Sequence, residues 1–189
     1  MTKKELRNLY KTKRKGLNSK ELLRLDDLML LQFQQLNYSD IKTVLTYWPM
    51  ANQSEPNTHL FSGYLRHMIS DLILAYPKTD KLLHQINALA INEETVYLTN
   101  EWGITEPKEG LSLLPKEIDL VFVPLLAFDT LGYRAGYGKG FYDRYLSLCR
   151  QDVVKIGFSY FEPLDKITDT DDFDVPLSYC ITPQKIYEF

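Results

Sequence analysis

The chain has 189 residues and a formal net charge of −3, with 44% apolar side chains and 13 tyrosines. That size supports a buried core without disulfide or metal staples, and the near balance of charge excludes a generic attraction to nucleic acid. No apolar run approaches the length of a membrane span, and Cys149 and Cys180 lie far apart, outside any CxxC pattern, and read as free thiols.

The opening "MTKKELRNLYKTKRK" has no apolar stretch of the secretory kind, so a cytoplasmic protein is expected. Thr2 and Glu5 form a capping-box signature for a helix of roughly residues 3–15. Asn18 or Ser19 starts a second helix, with Leu22, Leu25, Met29, Phe33 and Leu36 at helical spacing. "TVLTYWP" (43–49) reads as a buried strand stopped by Pro49. A polar loop follows, then a third helix capped by Asn57 or Thr58. "DLILAYP" (71–77) reads as a strand ended by Pro77. "INALAI" and "TVYLT" suit a hairpin turning near Asn92–Glu94. Residues 100–118, with two prolines and two glycines, read as a long irregular loop. "DLVFVPLLAF" (119–128) is a continuous apolar run, the mark of a strand covered on both faces. Residues 141–150 look helical, and "VVKIGFSY" (153–160) and "SYCIT" (178–182) read as further strands. The alternation implies an α/β fold: a three-layer α/β/α arrangement with a mostly parallel sheet, preceded by N-terminal helices, in one domain spanning 1–189.

The stretch "FDTLGYRAGYGKGFYDRYL" (128–146) has four glycines in nine residues, with Arg134 and Lys139 among them. Its place between a buried strand and a helix is where α/β sheets bind phosphates. It is neither a Walker A loop, since Gly140 follows Lys139, nor GxGxxG, since Gly136, Gly138 and Gly140 alternate. Asp143 suits a Mg²⁺ ligand and a helix N-terminal acid equally well. On the first helix Lys3, Arg7 and Arg14 share one face, which is either a solvated surface or an anion-binding one. The run "DKITDTDDFD" is mainly a solvated acidic loop, of which one member could reach a metal. Tyr47, Trp48 and Met50 at a strand end, with Glu55 in the next loop, offer a place for a flat heterocycle, although core packing is the plainer explanation. His59, His67 and His84 lack metal spacing, and no nucleophile–base–acid pattern stands out.

Taken together, these segments resemble the 5-formyltetrahydrofolate cyclo-ligase family. "KKELR" (3–7) is similar to its ATP-contacting helix, "MANQSEPNT" (50–58) to its folate loop and "GITEP" (103–107) to a short family motif. "PLLAFDTLGYRAGYGKGFYDRYL" (124–146) is similar to its long signature, and "DVPLSYCIT" (174–182) to its ending. Phe173, Ser178 and Pro163 depart from it, standing where relatives often carry His, Asp and Gln. The resemblance implies an ATP- and Mg²⁺-dependent cyclisation of 5-formyltetrahydrofolate to 5,10-methenyltetrahydrofolate through phosphorylation of the formyl oxygen. It implies catalytic roles for Lys139 and Arg134, and nucleotide contacts from Lys3, Lys4, Arg7, Arg134, Gly136, Gly138, Lys139, Gly140 and Tyr142. It also implies folate contacts from Met50, Glu55, Tyr137 and Phe141, with Trp102 or Glu106 closing over them, and metal ligation by Asp143 and Asp174. The implied partners are small molecules only, with neither nucleic acid nor membrane, and a monomer is expected. A non-catalytic ATP-binding protein, a sugar-phosphate isomerase on a related fold and an RNA-binding module are the rival readings.

Overall fold

A computed structural model of the chain describes residues 1–80 and 82–189. The first helix, α1 (Lys3–Lys15), begins with the expected capping box: the Thr2 side chain accepts the Glu5 N–H, and the Thr2 N–H donates to the Glu5 carboxylate at 2.8 Å. Asn18 and Glu21 repeat the device for α2 (Ser19–Phe33). There follow β1 (Thr43–Leu45), α3 (Thr58–Met68), β2 (Ile73–Asp80), β3 (Gln85–Ala90), β4 (Tyr97–Thr99), β5 (Thr105–Pro107), β6 (Leu111–Leu113) and β7 (Leu120–Val123). The chain then forms β8 (Ala127–Phe128), β9 (Arg134–Ala135), α4 (Phe141–Leu146), β10 (Val154–Phe158), β11 (Tyr179–Ile181) and β12 (Ile186–Glu188).

Eight of these strands make one sheet in the order β12-β11-β10-β7-β1-β2-β3-β6. Its centre, from β11 to β2, is parallel; β12, β3 and β6 join antiparallel at the two edges. Side chains alternate between two buried faces, as strands covered on both sides require. Val44, Leu74, Leu120, Phe122, Ile156 and Phe158 pack with Met29 and Phe33 of α2 and Phe61 and Leu65 of α3. Leu45, Ala75, Val121, Val123 and Cys180 face the other way, towards Tyr145 and Leu146 of α4. These are the three layers. A smaller cluster packs Leu6 and Tyr10 of α1 against Leu126, Ala127 and Ala135 around the β8–β9 hairpin. Both cysteines are free thiols. Among the described residues no helix is long and apolar enough to cross a membrane.

Several expected boundaries move, each for a physical reason. Pro77 does not end β2, which runs on to Asp80. Odd-numbered residues of β2 bond towards β1, as Ile73 N–H to Lys42 O and Thr46 N–H to Ala75 O show. The β1 ladder ends before Pro77, so the missing N–H costs no bond there. "INALAI" and "TVYLT" do not pair with each other: β3 lies between β2 and β6, and β4 pairs with β5. Residues 100–118 are therefore not an irregular loop, since they carry β5 and β6. The run 119–128 is two strands, because Pro124 follows β7 and the chain turns into the β8–β9 hairpin. The helix expected over 141–150 closes after Leu146.

A carboxylate lies inside the α2–α3 layer. Asp26 is 5% exposed and accepts the Tyr160 hydroxyl at 2.9 Å and the Asn57 N–H at 3.2 Å. Burial raises its pKa to about 6, against the pull of those two donors. The folded value exceeds that of an unfolded Asp, about 3.9. Asp26 therefore contributes stability that is full below about pH 4 and lost as pH rises through about 6. Asp26→Asn, which retains an acceptor oxygen, should remove this component. In urea unfolding at pH 4 and pH 7, wild type should lose on the order of 2 kcal/mol relative to the variant. Parallel stability curves would contradict it.

Candidate functional site

The carboxyl ends of β1, β2 and β7 open into a cavity of ≈ 920 Å³. Tyr47 and Trp48 follow β1, Pro77 and Thr79 end β2, and Pro124 follows β7; all line it. This is the crevice at which open parallel sheets bind ligands.

One wall is the glycine loop. It leaves β9 and enters α4 through Gly140, so a short hairpin, rather than the buried β7, precedes it. The hairpin turn is set by Asp129, which is fully buried; one carboxylate oxygen accepts the N–H groups of Leu131 and Tyr133, and the other accepts that of Ile167. Gly138 has φ +90°, and a Cβ there would meet the Arg7 guanidinium at 3.1 Å. Arg7 Nε donates to the Gly136 carbonyl at 2.9 Å. Thus α1 lies across the loop with Leu6 and Tyr10 turned inward, while Lys3, Arg7 and Lys11, spaced by four, line the cavity. Arg144 ties the far side, donating to the carbonyls of Lys139 and His84, each at 2.7 Å. Lys139 reaches over Trp102, its Nζ 5.2 Å from the ring centroid, and Trp102 lies 6.1 Å from the Phe141 ring.

The opposite wall comes from residues 47–55. Glu55 is 8% exposed; its carboxylate accepts the Met50 N–H at 2.7 Å and the Tyr137 hydroxyl at 2.5 Å. The second bond fastens this loop to the glycine loop. Burial raises the Glu55 pKa, while Met50, Tyr137 and the charge of Arg14 oppose the shift. The Tyr142 hydroxyl is buried and has no hydrogen-bond partner among the described residues.

The acidic groups are already paired. Asp143 accepts Arg134 Nη2 at 2.7 Å and the Val175 N–H at 3.2 Å. Asp174 accepts the Lys3 ammonium and the Asp171 N–H. Burial presses the Arg134 guanidinium below its ordinary value, and the charges of Asp143 and Asp174 counter it. Among the described residues no group of three or more His, Cys, Asp or Glu could by itself cage a metal. Two carboxylates beside a cationic loop do suit Mg²⁺, which typically takes one or two carboxylates and completes its shell with phosphates and water.

Comparison with known proteins shows the family. The model of the 5-formyltetrahydrofolate cyclo-ligase family matches residues 1–183. The chain belongs to that family. It is 31% identical to the 5-formyltetrahydrofolate cyclo-ligase of Mycoplasma genitalium, over 94% of this chain and 97% of the relative, and 37% identical to that of Haemophilus influenzae, over 72% and 73%. Among solved structures it superposes on the 5,10-methenyltetrahydrofolate synthetase of Aquifex aeolicus with a TM-score of 0.81 at 28% identity, covering all of this chain and 93% of the other.

For a cyclo-ligase family member, most residues singled out in the sequence meet at one cavity. Lys3, Arg7, Arg134, Gly136, Gly138, Lys139, Gly140, Tyr142, Met50, Glu55, Tyr137, Phe141, Trp102, Asp143 and Asp174 all line it. Lys4 is exposed and does not. Glu106 does not either: it is buried against β2, accepting the Thr79 N–H at 3.0 Å and facing Lys78 at 3.8 Å. Lys11 and Arg144 were missed, although each stands four residues after a chosen position, Arg7 and Gly140. Asp129 gave no signal beyond lying next to a turn.

Gly138 is held by both its positive φ and the nearby Arg7, so Gly138→Ala should lower stability by about 1–3 kcal/mol in denaturant unfolding. At Gly136 a Cβ would meet only Pro124 O, at 3.7 Å, and Gly136→Ala should cost distinctly less. Equal losses would contradict the geometry.

Proposed function

We propose that the chain converts 5-formyltetrahydrofolate to 5,10-methenyltetrahydrofolate at the expense of ATP. The observation that carries this reading is the Tyr137–Glu55 bond, at which a cationic glycine loop and a mostly apolar pocket become walls of one cavity. Such a joint suits a reaction in which a phosphate donor and a flat heterocycle meet.

An N-formyl amide is a poor electrophile, and its oxygen is a poor leaving group. Transfer of the γ-phosphoryl group to the formyl oxygen releases ADP and leaves a phosphorylated iminium. The folate N10 attacks the formyl carbon and gives up its proton; the C–O bond breaks, phosphate departs and the five-membered ring closes as the methenyl cation. No protein nucleophile is required, and among the described residues lining the cavity there is no nucleophile–base–acid triad. The protein's contribution is positioning and charge. In this reading Lys139, Arg7, Lys3, the loop N–H groups and the Tyr142 hydroxyl hold phosphate oxygens. Arg134 keeps Asp143 in place and adds its charge beneath the transferred group. Met50, Trp48 and Phe141 flank the pterin, whose ring N–H groups donate to Glu55. Asp143 and Asp174 would hold Mg²⁺, which when bound neutralises charge on the polyphosphate.

The reading is tested by the absorbance of methenyltetrahydrofolate, followed with and without Mg·ATP; ATP-independent or absent product formation would overturn it. In the same assay Lys139→Ala should lose on the order of 10²–10³ in turnover with an unchanged melting temperature. Unaltered turnover would remove Lys139 from the chemistry. Asp143→Asn should lose activity that excess Mg²⁺ restores only in part, so a wild-type Mg²⁺ titration would contradict its role.

A further inference from the structure

We propose that Arg14 is a positioning residue for the substrate wall: buried beneath the cavity, it orients the Tyr137 hydroxyl and supplies the positive charge that faces Glu55. Arg14 is 1% exposed and does not line the cavity. Two turns beyond Arg7 on the same helix face, it points under the glycine loop rather than into solvent. Its Nη2 donates to the Leu125 carbonyl, between β7 and β8, and its Nη1 to the Tyr137 oxygen at 3.4 Å.

Those contacts fix the direction of a relay. A phenol has one proton, and a guanidinium can only donate. With Arg14 donating to its oxygen, Tyr137 directs its own proton to Glu55, at 2.5 Å. Arg14 forms no ion pair of its own among the described residues, so its charge acts across Tyr137 on Glu55. Tyr47 after β1, Tyr142 on α4 and Tyr160 after β10 also lie within electrostatic reach of this carboxylate. Arg14 therefore counters the cost of burying Glu55 as a carboxylate. A purely structural Arg14 would pin α1 to the Leu125 carbonyl and leave Glu55 unaffected.

The consequence for turnover rests on the reading that Glu55 receives the folate, so the primary measurement needs no substrate. The Glu55 carboxyl is titrated by ¹³C NMR in the full chain, assigned with Glu55→Gln, for wild type, Arg14→Met, Arg14→Gln and Arg14→Lys; thermal melting confirms folding. The neutral replacements should raise the Glu55 midpoint by on the order of one pH unit, and lysine should leave it near wild type. Near the Glu55 midpoint the KM for the reduced folate should rise on the order of threefold in the neutral variants and recover as pH is raised, while the KM for ATP stays put. A folded neutral variant with a wild-type midpoint overturns the proposal. So does failure of both neutral variants to fold, which would make Arg14 a structural pin. If the midpoint moves but the folate KM does not, Arg14 keeps its role and Glu55 loses its place as substrate contact.

Discussion

The short hydrogen bond from Tyr137 to Glu55 is the joint on which the cavity depends. It links a loop that follows β1 to a loop that follows β9, segments 82 residues apart in sequence. Each partner is held from behind. Glu55 is closed onto the Met50 N–H by a single 3-10 turn, and Ser54 takes a left-handed conformation to make that closure. Tyr137 sits in a loop clamped by Arg7 on one side and Arg144 on the other. Without the joint, the two walls would be separate loops above the carboxyl ends of the sheet strands, and neither would define the position of a reacting atom for the other.

The second organising feature is that two of the cavity's cations are paired with its carboxylates within the protein. Arg134 with Asp143 and Lys3 with Asp174 make two ion pairs, both partly buried, which spares the fold the cost of isolated charges. The pairs also cross-link distant segments: Lys3 joins the start of α1 to residue 174, and its backbone N–H bonds Asp169 as well. In the proposed reaction a polyphosphate would compete for the same cations. The acidic run is thus a structural strap for α1 at Asp169 and Asp174, while Asp171 and Asp172 stand at the cavity rim.

Much of this was legible in the sequence wherever the signal is local. The Thr2–Glu5 capping box, the start and apolar stripe of α2 and the third helix follow from side chains within a few residues of each other. The glycine spacing marked the loop, and the family resemblance selected Asp174 from five acidic residues. Non-local facts were not legible. Whether Pro77 breaks a strand depends on where the neighbouring strand ends. The strand β3 was visible, but its pairing was not, because its partner β6 is only three residues long and too short to announce itself. Asp26 and Arg14 look like surface residues on amphipathic helices, because the buried partners that explain them, Tyr160 and Tyr137, lie more than a hundred residues away.

In the proposed reaction the cavity brings the formyl oxygen of one substrate to the terminal phosphoryl group of the other, with no covalent link to the protein. The most direct measurement uses 5-formyltetrahydrofolate labelled with ¹⁸O in the formyl group, turned over with Mg·ATP in unlabelled water. One labelled oxygen should appear in each inorganic phosphate released, with one ADP formed per methenyl product. Unlabelled phosphate, with the label lost to water, would contradict a phosphorylated formyl oxygen.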